Sequence, residues 1–369
     1  MDVFLSEARD LLAFVLILGG AVAIHEAGHF AAAVLARVRV LEAGVGLPPR
    51  LVSLGRARGT LISLNLIPLG GFVRLAGEFG GSDPLRDPLR DPLRDAKRDA
   101  KRDANSDPRD FAARPRAQRA AVLAAGPAAN LAGAFLLLWT AFAIGGPDAS
   151  LARVVEVSAG SPAAAAGLLP GDIVHWRQYP GASDEPSLSE MLRAEAGRPV
   201  RFEIERDGVA MQVALTPRLA PPAGEGPAGF TTRAVIRPHS PLEAVGRASE
   251  TLVGFVANTI AAVSGDEPAR IVGPLGLKQA SDQAVQGSAR WASLFPLLYL
   301  AALIHTGLAL TNLLPIPALD GGRLALLGIE ALGLRLTPRL TKALVGASAI
   351  GLLCLMGLLT VRDVIDPLL

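Results

Sequence analysis

Residues 11–36 read LLAFVLILGGAVAIHEAGHFAAAVLA. The run is apolar from end to end except for one cluster, His25-Glu26-Ala27-Gly28-His29. A helix needs roughly 17–25 such residues to cross a hydrocarbon core about 30 Å thick. The stretch therefore reads as a membrane span with three ionisable side chains inside it. A charged group at mid-bilayer costs on the order of 2.5–3.5 kcal/mol on insertion scales, and such groups default to function. Positions i and i+4 lie on one helix face about a turn apart, so both imidazoles can reach a single metal ion. Glu26 sits between them in sequence, where it can take a proton from an attacking water. A pair of histidines satisfied within a packed core is the bland alternative, and the cost of placing them in lipid weighs against it.

Three more runs match the first. Residues 120–146 carry no charge, 291–319 hold only a histidine, and 343–361 are again uncharged. Half of the 369 residues are hydrophobic and 19% are charged. The clustering predicts a multi-span α-helical membrane protein with four transmembrane helices. Asp2, Glu7 and Asp10 outweigh Arg9 before the first run, whereas Arg37, Arg39, Arg50, Arg56 and Arg58 follow it. That flank is unlike a cleaved signal peptide, and the positive-inside rule sets the N-terminus outside and the first loop in the cytosol. Arg114, Arg116 and Arg119 before the second run agree, as do Arg335, Arg339 and Lys342 before the fourth. The C-terminus and residues from about 147 to 290 are then expected outside. The net charge of +2 is spent on topology, so no nucleic-acid partner is expected. The single cysteine, Cys354, excludes a thiolate metal site and reads as a packing residue.

Between the first two runs, residues 59–78 (GTLISLNLIPLGGFVRLAGE) alternate in a strand-like way and are broken by turn residues, which predicts a β-hairpin dipping into the membrane beside protein. Residues 83–110 repeat DPLR and DAKR units and read as a solvated cytosolic linker. From about 151 to 217 the pattern becomes soluble α/β. Ser161 and Pro162 open a helix, Gly167 closes it, and Leu169-Pro170-Gly171-Asp172 turns into a strand over 173–177. The phrase GSPAAAAGLLPGD (160–172) resembles a PDZ domain of the bacterial protease-associated type. Its expected 177–181 loop, Arg177-Gln178-Tyr179-Pro180-Gly181, departs from the Asn-Gly turn usual in relatives. After a Pro/Gly-rich connector, Ser240-Pro241-Leu242-Glu243 reads as a capping box that opens an amphipathic helix resting on the membrane surface or the bundle.

Catalytic zinc usually has three protein ligands and one exchangeable position. The chain has five histidines, of which His175 and His239 fall in the outer region. Asp320 is the leading third ligand: in Asn312-Leu-Leu-Pro315-Ile-Pro317-Ala-Leu-Asp320-Gly321-Gly322 two prolines and two glycines break the helix and could aim the carboxylate inward. Its alternative is a plain helix cap near the cytosolic surface. His305, earlier in the third span, is the rival.

HEAGH in the first span and NLLPIPALDGG (312–322) in the third resemble the signature pair of the site-2 protease family of intramembrane zinc metalloproteases. IPLGGFVRLAGE (67–78) looks like the family's membrane-embedded hairpin, and QRAAVLAAGPAAN (118–130) like the start of its second span. The PDZ insert and Gly273-Pro274-Leu275-Gly276 are similar to the bacterial branch of regulator of sigma-E protease type. The resemblance implies that His25, His29 and Asp320 bind Zn2+ and that Glu26 is the general base. It implies further that Asn312, with Gly70, Gly71 and Phe72 of the hairpin, lies beside the substrate. His305 stands where relatives commonly have a small polar residue, and there is room for one PDZ domain where they often carry two.

The domain plan expected is a first span with HExxH (1–36), a cytosolic-side loop and hairpin (37–80), the linker (81–113), and a second span (114–147). The PDZ domain (150–218), a connector with an amphipathic helix (219–290), a third span with the Asp320 motif (291–325) and a fourth span (335–363) follow. The expected activity is hydrolysis of peptide bonds within single-pass transmembrane proteins, such as a membrane-bound anti-sigma factor or a remnant signal peptide, in the bacterial inner membrane. Pairing with the hairpin edge would hold the substrate extended, and the PDZ domain would either bind a new peptide C-terminus or filter substrates by size. A catalytically silent PDZ scaffold is the alternative, but it needs none of His25, Glu26, His29 and Asp320. A zinc transporter would want ligands in the second and fourth spans, whose apolar runs (120–146 and 343–361) have neither histidine nor carboxylate.

Overall fold

The computed structural model describes residues 2–78, 107–176, 187–264, 273–334 and 337–366. The Asp/Arg repeats up to residue 106, the 177–181 loop and Arg335 lie outside these residues. The chain divides into two compact units, one formed by Met1–Ala141 with Pro241–Leu369 and the other by Phe142–Ser240.

The first unit is helical. Helix α1 (Asp2–Leu35) holds the HEAGH cluster, and α2 (Arg116–Gly145) runs through Pro127. Both are apolar on every face, as expected of helices that meet lipid or other helices all round. Gly28 brings them together: a Cβ there would lie 2.4 Å from the Ala125 carbonyl oxygen and 2.7 Å from the Ala129 methyl. Among the described residues, four helices are long and apolar enough to cross a membrane, over Leu5–Leu35, Arg116–Gly145, Phe295–Asn312 and Leu340–Ile365.

Between α1 and α2 lie two long strands, β1 (Val40–Ala57) and β2 (Thr60–Leu75). The hairpin is thus larger than expected. Residues 59–78 supply its second strand, and its turn falls at Arg58 and Gly59, both at positive φ. Each strand also doubles back. Glu42, Ala43, Gly44 and Val45 pair with Arg74, Val73, Phe72 and Gly71 on one side and with Leu61, Ile62, Ser63 and Leu64 on the other. Residues 50–57 of β1 then return along 60–65. The turn residues Pro68, Gly70 and Gly71 do not close a hairpin within 59–78. Pairing with β1, remote in sequence, makes them a bend instead. Phe111 N–H closes this region by donating to the Ala76 carbonyl at 2.7 Å.

The second unit is a five-stranded sheet in the order β6-β5-β4-β3-β7, built from β3 (Gly146–Val157), β4 (Ile173–His175), β5 (Val200–Arg206), β6 (Val209–Leu215) and β7 (Phe230–Arg237). All its pairings are antiparallel. Two short helices, α3 (Pro162–Ala165) and α4 (Leu188–Ala194), accompany it. Ser161 caps α3 by accepting from Ala164 N–H, with Pro162 in the first turn, as the sequence predicts. Val154, Leu168, Val174 and Ile204 are completely or almost completely buried at its centre. The expected limits of 150–218 are too narrow. β7 pairs with β3 from Val157↔Phe230 to Gly146↔Arg237, so residues up to 237 belong to the sheet rather than to a connector. FTTRAVIR is largely exposed and its strand character comes from the β3 edge, not from its own alternation.

The remaining expected connector contains two helices, α5 (Pro241–Ser264) and α6 (Pro274–Trp291), where one was expected. A buried carboxylate starts the second: Asp363 accepts from Gly276 N–H at 2.9 Å, and Gly273 leaves no space for a Cβ against Asp363 and Leu359. The third span is likewise not one helix over 291–325. Helix α7 (Phe295–Asn312) ends at the asparagine, residues 313–319 turn, and α8 (Asp320–Ala331) begins afresh. Pro315 and Pro317 cannot continue the ladder, which is the physical reason for the break. Helix α9 (Pro338–Ile365), capped by Thr337, contains the fourth stretch long and apolar enough to cross a membrane.

Candidate metal centre

His25 and His29 project from successive turns of α1 with ring centroids 4.7 Å apart. Their Nε2 atoms lie 3.1 Å from each other. Asp320 Oδ2 completes a triangle, 3.1 Å from each Nε2. All three side chains are largely shielded, and among the described residues they are the one group of three metal-ligating side chains whose donor atoms converge.

Asp320 is delivered by its neighbours. Leu319 is the N-cap of α8 in an extended conformation, and the carboxylate of Asp320 in the first turn faces His25 and His29. A Cβ on Gly321 would lie 2.1 Å from the Leu313 carbonyl oxygen, and one on Gly322 would lie 2.0 Å from that of Ile316. Only glycine lets the start of α8 fold back onto the 313–317 turn, and that close approach points Asp320 toward α1.

The donor set fits zinc. Tetrahedral bonds of about 2.0–2.1 Å imply ligand-to-ligand edges of about 3.3 Å, a few tenths from those observed. His29 Nδ1–H donates to the Val122 carbonyl at 2.8 Å, which leaves its Nε2 as a lone pair. Lone pairs and a carboxylate facing one another at this separation repel unless a cation lies among them. Helix α2 makes room for the rings: a Cβ on Gly126 would lie 2.3 Å from His29 Nε2 and 2.8 Å from His25 Cε1.

Glu26 lies beside the triad, on the side of β2. Its Cγ lies 3.1 Å from where a Cβ on Gly71 would be, and it takes a backbone hydrogen bond from Val73. Of the hairpin residues expected near substrate, Gly71 therefore adjoins Glu26. Gly70 sits in the bend at φ +107, and the Phe72 ring packs across Gly44. Asn312 ends α7 and spends its amide N–H on the Leu308 carbonyl at 3.0 Å, rather than on the triad. His305 is not a fourth member of the triangle; its Nδ1 lies 3.1 Å from Asn130 Oδ1. His175 and His239 lie in the second unit.

Two residues around the triad carry no metal-ligand signal and were passed over in the sequence. Asn130 is fully buried on α2, with Nδ2 3.2 Å from His25 Nδ1. Gly126 lies one turn before it on the same face. A buried amide in an uncharged apolar run is itself unusual and was the available signal.

Two histidines one turn apart, a carboxylate from a second helix and an adjacent glutamate define a metallohydrolase-type centre carried by apolar helices. The model of peptidase family M50 matches residues 13–358, and the chain belongs to this family of site-2 type proteases. It is an integral membrane protein. The metalloprotease MmpA of Caulobacter vibrioides is 30% identical over 352 residues, covering 88% of this chain and 87% of that protein. A Brucella suis protein named as a zinc metalloprotease is 28% identical over 340 residues, covering 87% and 86%. One from Mesorhizobium japonicum, with the same kind of name, is 28% identical over 377 residues, covering 96% and 98%.

Proposed function

We propose that this chain is a zinc endopeptidase that hydrolyses peptide bonds within the transmembrane segments of single-pass membrane proteins. The observation that carries the reading is the convergence of His25, His29 and Asp320 from two helices, with Glu26 beside them, in a unit built of apolar spans. The class of activity follows from family membership and from the zinc metalloprotease names of the relatives. His25 and His29 through Nε2 and Asp320 through its carboxylate would hold Zn2+, which when bound would supply Lewis acidity toward the scissile carbonyl and toward water. Glu26 accepts the proton of the attacking water and returns it to the leaving amine, a role worth about 10²–10⁴-fold.

A transmembrane helix hides its carbonyls in its own hydrogen bonds and has to be held extended to be cut. Residues 71–75 of β2 pair with β1 along one edge, and Glu26 lies against Gly71 and Val73. A substrate strand added along the opposite edge would run past Glu26, with Gly70, Gly71 and Phe72 at its entry. Asn312 lies at the break that precedes Asp320, and with one N–H bonded to Leu308 it keeps a second N–H and its oxygen for the substrate.

The second unit, with its Ser161-capped helix and the Leu169–Asp172 turn, supports a PDZ domain that receives a peptide C-terminus or filters substrates by size. Charge flanks support a topology with this unit and both termini outside the cytoplasmic membrane of a bacterium and the 83–110 repeats in the cytosol. The substrates are anti-sigma factors or remnant signal peptides. The test is cleavage of a tagged panel of single-pass substrates by wild type and Glu26→Gln, with and without a zinc chelator. Cleavage only by zinc-loaded wild type supports the reading. Equal cleavage by both forms sinks it, and cleavage by neither form favours a silent scaffold.

A further inference from the structure

The two histidines of the triad are held differently. His29 Nδ1–H donates to the Val122 carbonyl, an acceptor fixed in the α2 backbone. His25 Nδ1 lies 3.2 Å from Asn130 Nδ2, and Asn130 Oδ1 lies 3.1 Å from His305 Nδ1, so the metal-binding arrangement is this amide turned end for end. An amide presents its two ends equally well after a half-turn about its last bond, so Asn130 can meet these two rings in two ways. With Nδ2 toward His25, the amide donates to His25 Nδ1 and places the ring proton on Nε2, where no metal can bind. With Oδ1 toward His25, it accepts from His25 Nδ1–H and leaves Nε2 as a lone pair directed at Asp320. The second arrangement also turns Nδ2–H toward His305, which must then accept through Nδ1.

We propose that Asn130 and His305 act as positioning residues that fix His25 in its metal-binding tautomer, through a chain running from His25 Nδ1–H to Asn130 and from Asn130 to His305. The proposal rests on the reading of His25 as a zinc ligand. Three features of the packing favour a built device over a chance contact. Asn130 is fully buried and His305 nearly so, which makes an unmatched amide costly. Asn130 is four residues from Gly126 on α2, so the face that clears space for the rings also carries their partner. Gly133, a further turn on, leaves His305 its place, since a Cβ there would lie 3.0 Å from His305 Nδ1. The ligand without a backbone acceptor is thereby given a side-chain one, as metal-bound histidines require.

The test is the zinc dissociation constant of the purified full-length chain, measured by chelator competition, with the Co2+-substituted visible spectrum as a second readout of ligand geometry. Asn130→Leu, which keeps the volume and removes both polar ends, should weaken zinc binding ~10–100-fold, the usual cost of losing such a partner. Asn130→Asp, which keeps an acceptor for His25, should restore binding to within a few-fold and preserve the spectrum. His305→Leu should weaken binding less than Asn130→Leu does. In a His25→Ala background Asn130→Leu should add nothing. Wild-type affinity in Asn130→Leu, or equal losses in the Leu and Asp variants, would overturn the proposal while leaving the zinc site intact. Absence of zinc binding by wild type would overturn both.

Discussion

Gly126 stands where even a methyl group would collide with the metal-facing edge of His29: a Cβ there would lie 2.3 Å from Nε2. The ring cannot swing aside freely, because its Nδ1–H is tied to the Val122 carbonyl four residues earlier on the same helix. Gly126→Ala should therefore displace the imidazole and leave the helix intact, as alanine is the better helix former by roughly 1 kcal/mol. Zinc affinity should fall by at least ~10-fold and cleavage with it. Melting of the zinc-free protein should stay within about 1 kcal/mol of wild type. Chelator titration and thermal denaturation check the two halves separately.

Gly71 separates Glu26 from β1. A Cβ there would meet Glu26 Cγ and the Gly44 carbonyl oxygen, each at 3.1 Å. Gly71→Ala should push the Glu26 carboxylate off its line and crowd the strand edge, at a cost of about 1–3 kcal/mol. Activity should drop about tenfold or more, mainly in kcat, with zinc content unchanged. Kinetics on a fluorogenic transmembrane substrate, paired with zinc analysis, distinguish this from damage to the triad.

Glu42 is buried in the hairpin and bonded to two arginines, to Arg50 at 2.6 Å and to Arg74 at 2.7 Å. It ties the returning part of β1 to the cross-strand pair Glu42↔Arg74. Glu42→Gln leaves both guanidinium groups facing a neutral amide. Since Arg50 is half exposed, the expected loss is about 1–2 kcal/mol rather than the full cost of a buried pair. Faster hydrogen exchange within residues 40–75, with no change in residues 146–237, is the expected signature.

The second unit should lose stability in acid. Burial works against ionisation of Asp148, yet hydrogen bonds from Ser150 and the Arg237 guanidinium hold its carboxyl down at about 2. Asp172 is lowered too, chiefly by its paired bonds from Arg206 at 2.7 and 2.8 Å. Each folded pKa lies below its unfolded value of about 3.9, so the stabilisation is present above about pH 4 and is lost as pH falls toward about 2. Partial exposure of Arg237 limits the Asp148 share to about 1–2 kcal/mol. Trp176 packs on this core and reports its melting once Trp139 and Trp291 are replaced by phenylalanine. Asp148→Asn should flatten the pH dependence between about 4 and 2.

What could be read from the chain follows from how local each signal is. His25, Glu26 and His29 lie within one helical turn, and their placement in an apolar run marks them. Asp320 is marked by the prolines and glycines around it, although the reason those glycines are needed, the fold-back onto Leu313 and Ile316, is visible only in three dimensions. Asn130 has no spacing partner in its own helix; its partners are His25 on α1 and His305 on α7. The doubled course of β1 and β2 and the capture of β7 by β3 depend on pairings between distant segments. Helix α6 was missed because its composition is too polar for a span, and its start is fixed by Asp363 from the last helix.

The central claim is that one Zn2+ is held jointly by α1 and the start of α8. Elemental analysis of full-length protein, purified with limiting zinc, tests it most directly through Asp320→Ala set beside Glu26→Gln. The account predicts one zinc per chain in wild type and in Glu26→Gln, with the ion lost from Asp320→Ala. A full complement of tightly held zinc in Asp320→Ala would contradict it.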